Sequence, residues 1–331
     1  MMLTLSICIP SYNRFEKLSE TVKKILESES ADFEIVIVDN CSPRNIEDFV
    51  DCNDSRVRII HRKTPVKGEQ SVNECVLFAN AEYGLLLLDK DVIEGKYIKD
   101  LIENLNKYKP CGGYCELNST NNNCVIYDIE PILKFGYLSK HPSGNIYKTD
   151  LVKEYISNSE SIISDDAFGF DYCLSYCASK GSMLLYDKPL AFSLLRNATG
   201  KPEKSLSFNP KNNNLFYFPR NRIDEFKLFV FELNKLNVDD DVKLKVLTAL
   251  YYRTIRQVTT EYRTIMKDKQ TCYHYGHDTK VVSILEMIKN YLEVTRCIDG
   301  MKYSFLKNKK IKCSYLFKKE LNKVLRKIKL R

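Results

Sequence analysis

Apolar residues recur with two different periods over the first hundred positions, and the switches between them divide the chain into strands and helices. Residues 3–9 (LTLSICI) read as a strand, PSYNR as a turn, and 15–28 as an amphipathic helix. FEIVIVD (33–39) is a second strand ending on Asp39, RNIEDFV a short helix, and RVRII (56–60) a third strand. GEQSVNECVLFANA (68–81) has helical periodicity and runs into YGLLLL, an apolar run with no polar face. Strands alternating with helices at this spacing predict crossover units and a mostly parallel sheet. The LLLL run suits a central strand covered on both faces.

Composition changes this picture little. Of 331 residues, 44% are hydrophobic, ample for a large core. No window holds 18 uninterrupted apolar residues, so no membrane-spanning helix is expected. The N-terminus lacks a basic region and a small-residue cleavage site, which predicts a cytoplasmic protein with free thiols. Cys111/Cys115 and Cys173/Cys177 repeat one spacing, but zinc knuckles normally use a two-residue gap, so these read as buried small residues.

Chemistry is expected where the strands end, because ligands of open α/β sheets bind beyond the carboxyl ends. Asp39 and the triplet Asp89-Lys90-Asp91 both fall there. An extended triplet turns Asp89 and Asp91 to one side and Lys90 to the other. Two carboxylates on one side suit a divalent cation. Asp91 also precedes VIEGKYIKDLIENL, read as helical, so a helix cap explains the acid equally well.

Taken together, SICIPSYNR, EIVIVDNCS and EYGLLLLDKD, with 50 residues from Asp39 to Asp89, resemble the N-terminal half of the family 2 glycosyltransferases. The resemblance implies the GT-A fold, a Rossmann-like, mostly parallel central sheet flanked by helices. It implies that Pro10, Tyr12, Asn13, Arg14, Asp39, Asp89 and Lys90 bind a nucleotide-sugar, most commonly UDP-linked. Asp91, with Asp89, then holds Mn2+ or Mg2+ against the diphosphate. It covers residues 3–100 well and 140–195 loosely.

In the looser stretch, KHPSGNIY (140–147) resembles an acceptor-side loop, assigning His141 and Gly144 to the acceptor. FGFDYCLSYCASKG (168–181) resembles the segment carrying the catalytic base, which falls on Asp171. The segment departs from the family in having Phe170 where Glu is usual and in lacking a later Arg. Asp165 and Asp166 lie close enough upstream to compete, Asp166 being the runner-up. Some GT-A enzymes complete the metal shell with a C-terminal His, which implicates His274 or His277. Isolated histidines are also common as hydrogen-bonded structural residues.

Three regions follow: a transferase domain over 1–210, a helical region over 211–300 and a tail from 301 to 331. Residues 302–331 carry a charge of +11, against −3 for the remaining 301 residues. Phe317, Leu321, Val324, Leu325 and Ile328 form one helical stripe among lysines and arginines. Such a basic amphipathic helix suits an anionic inner-membrane surface, making the protein peripheral on the inner face of the cell membrane. A solvated helix without a partner has the same pattern. No nucleic-acid reader fold surrounds the tail. The expectation is an inverting, metal-dependent transferase acting on a saccharide or lipid-linked glycan of bacterial surface polysaccharide. The rival is a non-catalytic nucleotide- or glycan-binding protein on a degenerate transferase fold. A dehydrogenase is set aside because no Gly-x-Gly-x-x-Gly follows a strand.

Overall fold

Four apolar segments lie side by side in the order β3-β2-β1-β4, all parallel. They are β1 (Leu5–Ser11), β2 (Phe33–Asp39), β3 (Val57–His61) and β4 (Tyr83–Leu86). The computed structural model describes residues 3–137, 141–158, 169–192, 215–301 and 303. The chain divides into two compact units, Met1–Asn209 and Pro210–Arg331. Every residue of β1, β2 and β4 is buried, as a strand covered on both faces requires. The register sets Ser11 beside Asp39 and Asp39 beside His61, so three polar residues share the carboxyl edge.

Beyond β4 the sheet becomes mixed. β8 (Asn145–Lys148) pairs antiparallel with β4 and with β6 (Gly112–Leu117). β6 runs parallel to the long β9 (Met183–Phe192), which also carries β5 (Val92–Ile93) and β7 (Asn123–Tyr127) antiparallel. Helix α1 (Phe15–Leu26) buries Phe15, Leu18, Val22 and Ile25, one stripe at helical spacing. The Arg44 guanidinium lies over the rings of Phe15 and Phe49, 4.2 and 4.6 Å from their centroids.

Several predicted helices are shorter than their periodicity. The helix expected over 68–81 is α2 (Gly68–Glu74), which tightens into a 3-10 turn over Cys75–Phe78. RNIEDFV forms one 3-10 turn, Ile46–Asp48. The segment after Asp91 begins as strand β5 because Val92 and Ile93 pair with Phe192 and Ala191, and helix α3 (Ile98–Tyr108) follows only later. Sheet pairing has overridden local helical preference there.

The C-terminal unit is helical, as expected, with helices Pro219–Lys235, Asp240–Arg256 and Ile284–Asp299. Asp239 occupies the N-cap position of the second, with Asp240 and Asp241 in its first turn. That helix continues into a π segment, Gln257–Glu261, where the Asn290 amide donates to the Val258 carbonyl at 3.0 Å. Among the described residues, no helix is long and apolar enough to cross a membrane. The basic tail falls outside the described residues apart from Tyr303.

A buried carboxylate joins the parallel strands. Glu34 accepts from Ser6 Oγ at 2.6 Å, Arg58 Nε at 3.1 Å and the Asn80 amide at 2.8 Å. Burial opposes its charge, but these donors outweigh burial and hold its pKa below the usual carboxylate value. Removing one partner of such a pair strands the other. Glu34→Ala is expected to lose about 3 kcal/mol in urea unfolding. A depressed pKa contributes stability above the unfolded carboxylate pKa, which is lost as pH falls through the folded value. The stability of Glu34→Gln should therefore decline less steeply with acid than that of the parent.

Candidate functional site

The turn after β1 ties three segments of the carboxyl edge together. Pro10 ends the apolar run of β1, and Asn13 takes a left-handed φ of 54°, which asparagine tolerates. The Asn13 amide donates to Ser42 Oγ at 2.9 Å, and the Tyr12 amide donates to Asp89 Oδ2 at 3.3 Å. Arg14 Nε stands 3.5 Å from Asp89 Oδ1. The Tyr12 ring remains about half exposed.

Asp39 is 3% exposed and accepts the Ser42 amide with both oxygens, at 3.1 and 3.3 Å. His61 Nδ1 lies 3.1 Å from Asp39 Oδ2, and His61 Nε2 lies 2.7 Å from Glu47 Oε1. Asn40 closes the neighbouring loop through paired amide contacts with Val66, each 2.9 Å. The result is a shallow polar floor with two carboxylates about one imidazole.

The acidic triplet is a turn and not an extended strand end. The Asp91 amide donates to the Leu88 carbonyl at 2.9 Å, which closes a turn, so the alternation expected of an extended triplet does not apply. Asp89 faces the Tyr12–Arg14 turn. Burial raises its pKa to about 6, opposed first by the Arg14 charge and then by the Tyr12 amide. Asp91, 0% exposed, faces the loop before β8, where Ser143 Oγ donates to its Oδ2 at 2.5 Å. The helix-cap explanation fails, because a strand follows Asp91. Lys90 is partly exposed between the two and acts electrostatically on both Asp89 and His141.

The loop holding His141 and Gly144 descends onto this turn. His141 Nδ1 accepts the Ser143 amide at 3.2 Å and lies 3.6 Å from Asp91 Oδ2. Burial lowers the His141 pKa, the Asp91 charge opposes this, and Lys90 adds to the lowering. Gly144 has φ +94°, and a Cβ there would stand 2.5 Å from the Cys115 carbonyl oxygen. Glycine is the residue that allows this approach.

Asp171 sits in the first turn of helix Gly169–Lys180 and is 2% exposed. Phe170 before it is structural: its amide donates to Asn73 Oδ1 at 3.0 Å, and its carbonyl accepts the Tyr147 hydroxyl at 3.1 Å. Tyr114 lies buried on β6. Burial raises its pKa, and Glu116, Cys115, Asp171 and Asp91 add to the rise in that order. Asp91 and Asp171 therefore both lie within electrostatic reach of one phenol.

Asp165 and Asp166 fall outside the described residues. His274 and His277 belong to the C-terminal unit, where the His274 ring meets Tyr275 edge-on. His277 donates from Nδ1 to the Asp278 carbonyl at 3.0 Å and meets the Tyr217 hydroxyl at Nε2, an arrangement that engages both ring nitrogens. Within the described residues, no three His, Cys, Asp or Glu side chains gather as a metal cage. The donor set that fits a cation is the pair of hard carboxylates in the Asp89–Asp91 turn. Cations of the Mg2+ type are commonly held by one or two carboxylates, with phosphate and water completing the shell.

Sequence reading missed Ser143, His61 and Tyr114. Ser143 lay inside a motif already singled out, and His61 directly follows the predicted strand 56–60, so extending that strand by one residue in register with Asp39 would have found it. Tyr114 carried no signal. The His61 contacts yield a prediction. Glu47 first, then Asp39, raise the His61 pKa above the usual imidazole value. Its stabilisation is complete below the unfolded value and is lost as pH rises through the folded one. Imidazole NMR titration should place His61 above an unperturbed histidine, and Glu47→Gln should move it downward. An unshifted titration in the parent would contradict the geometry.

Comparison with known proteins agrees with this layout. The family described as Glycosyl transferase family 2 matches residues 6–138. Glycosyltransferase GlyG of Streptococcus pneumoniae is 26% identical over 129 residues, which are 37% of this chain and 43% of that protein. The match thus spans less than half the length of that relative. The crystal structure of a TarS fragment from S. aureus in complex with UDP-GlcNAc aligns at a TM-score of 0.54 and 14% identity, covering 91% of this chain and 93% of that one. The mannosyltransferase PcManGT from Pyrobaculum calidifontis, in complex with GDP-Man and Mn2+, aligns at 0.50 and 12% identity, covering 91% and 82%. These two share the fold. The match over residues 6–138 takes in the strand-end acids and makes this stretch similar to the family 2 glycosyltransferases, on a GT-A-like fold that the whole chain shares with the TarS fragment.

Proposed function

We propose that the chain is an inverting, divalent-cation-dependent transferase that moves one sugar per encounter from a nucleotide-sugar, UDP-linked by first choice. The acceptor is a saccharide or lipid-linked glycan of bacterial surface polysaccharide. The observation that carries the reading is a fully buried Asp91 at the carboxyl edge of the sheet, held by the Ser143 hydroxyl, within the stretch that is similar to the family 2 glycosyltransferases. Support for the donor class comes from the UDP-GlcNAc and GDP-Man complexes of two proteins that share the fold.

Each residue then has a task. The base rests against Asp39 on the polar floor, and Pro10, Tyr12, Asn13 and Arg14 form the turn over the nucleotide. Asp89 and Lys90 border the diphosphate. Asp91 and Asp89 hold the cation, which when bound neutralises charge on the departing diphosphate. His141 and Gly144 face the acceptor. Asp171 takes the proton from the attacking hydroxyl. The acceptor oxygen bonds to the anomeric carbon from the face opposite the diphosphate. The carbon–oxygen bond to phosphate breaks with its electron pair, and the configuration inverts.

Incubation with a panel of nucleotide-sugars is the test of chemistry. We expect slow, Mn2+-dependent release of one nucleotide, abolished by EDTA. Asp171→Asn should lower acceptor transfer by about 10²–10⁴-fold, and Asp91→Asn should remove the metal dependence with the activity. Release by no donor, with nucleotide binding undiminished in both variants, would favour the non-catalytic binding protein.

Residues 302–331 carry the proposed contact with an anionic inner-membrane surface, which places the protein at the cytoplasmic face. In liposome sedimentation, a chain ending at residue 301 should lose binding to anionic vesicles that the full chain retains, while neutral vesicles bind neither. Equal sedimentation of both chains on anionic vesicles would sink this part of the reading.

A further inference from the structure

We propose that Ser143 is a positioning residue that sets the rotation of the Asp91 carboxylate and thereby governs cation affinity. The proposal rests on the reading of Asp91 as the cation ligand.

The Ser143 side chain is fully buried and joins both ends of the acidic turn. Its hydroxyl oxygen accepts the Leu88 amide at 2.9 Å, and its single proton goes to Asp91 Oδ2 at 2.5 Å. Leu88 and Asp91 are also the residues that close the turn through their own backbones. One hydroxyl thus braces a four-residue turn from outside. A hydroxyl donating to an ionised carboxylate makes a charge-assisted bond, so it resists rotation of the carboxylate.

Ser143 is itself held by its neighbours. Its amide donates to His141 Nδ1 at 3.2 Å. The Gly144 amide donates to the Leu86 carbonyl at 2.9 Å, and the Gly144 carbonyl accepts from Cys115 at 2.7 Å. The loop is therefore laced between β4 and β6, at a depth that only the glycine at φ +94° permits. On the far side of the turn, Thr21 of α1 donates to the Asp91 carbonyl at 3.1 Å. The carboxylate is braced by Ser143 and its backbone by Thr21. Hydrogen bonds to a ligating carboxylate commonly change metal affinity by about 10–100-fold when removed.

The test is Mn2+ binding to the full chain, followed by the electron paramagnetic resonance of free Mn2+, with and without saturating uridine diphosphate. Ser143→Ala should weaken Mn2+ binding in the presence of the nucleotide by at least tenfold, while nucleotide binding in EDTA stays at the parent value. Excess Mn2+ should restore donor turnover to Ser143→Ala but not to Asp91→Asn. If Ser143→Ala does not fold, Ser143→Cys, which keeps the volume and weakens the donor, is read in the same way. Parent-like Mn2+ affinity in the serine variant, with loss in Asp91→Asn, would overturn the role of Ser143 alone. Parent-like affinity in Asp91→Asn would overturn the cation reading and the Ser143 proposal with it.

Discussion

The arrangement depends on placing one carboxylate, Asp91, fully out of water at the end of an apolar strand. A buried charge is costly unless donors surround it. Here the donors come from outside the strand: the Ser143 hydroxyl is fixed by a loop whose glycine lies against the Cys115 carbonyl. The apolar run of β4 supplies depth, its neighbours β1 and β8 keep it there, and the acids begin where that cover ends. Strong hydrophobicity beside strong charge is thus one device, a rigid strand that carries polar groups to an edge.

The two acids of the triplet divide the work. Asp89 looks toward the Tyr12–Arg14 turn, and burial raises its pKa to about 6 with Arg14 opposing. Asp91 looks toward the loop that holds Ser143. The turn between them therefore connects the Tyr12–Arg14 turn with the His141–Gly144 loop.

The parallel half of the sheet was legible because its signals are local. Continuous apolar runs, a terminal Asp39 and a helical stripe from Phe15 to Ile25 each say where they belong without reference to distant residues. The mixed half was harder to read, because β5, β7 and β9 exist through pairings across many residues. That is why Val92 and Ile93 were expected in a helix and stand in a strand. The same cause hid part of the site. A serine in a loop looks like any other until a left-handed glycine beside it shows how deep the loop runs. His61 lay just past the predicted third strand until its register with Asp39 was known.

The most direct measurement is a crystal structure of the full chain with uridine diphosphate and Mn2+, with the metal located by its anomalous signal. The account predicts one Mn2+ bound to an Asp91 carboxylate oxygen and to the diphosphate, with the base against Asp39 and Asp171 opening onto the donor's sugar side. Uridine diphosphate bound with its base away from Asp39, or Mn2+ bound without contact to Asp91, would contradict it.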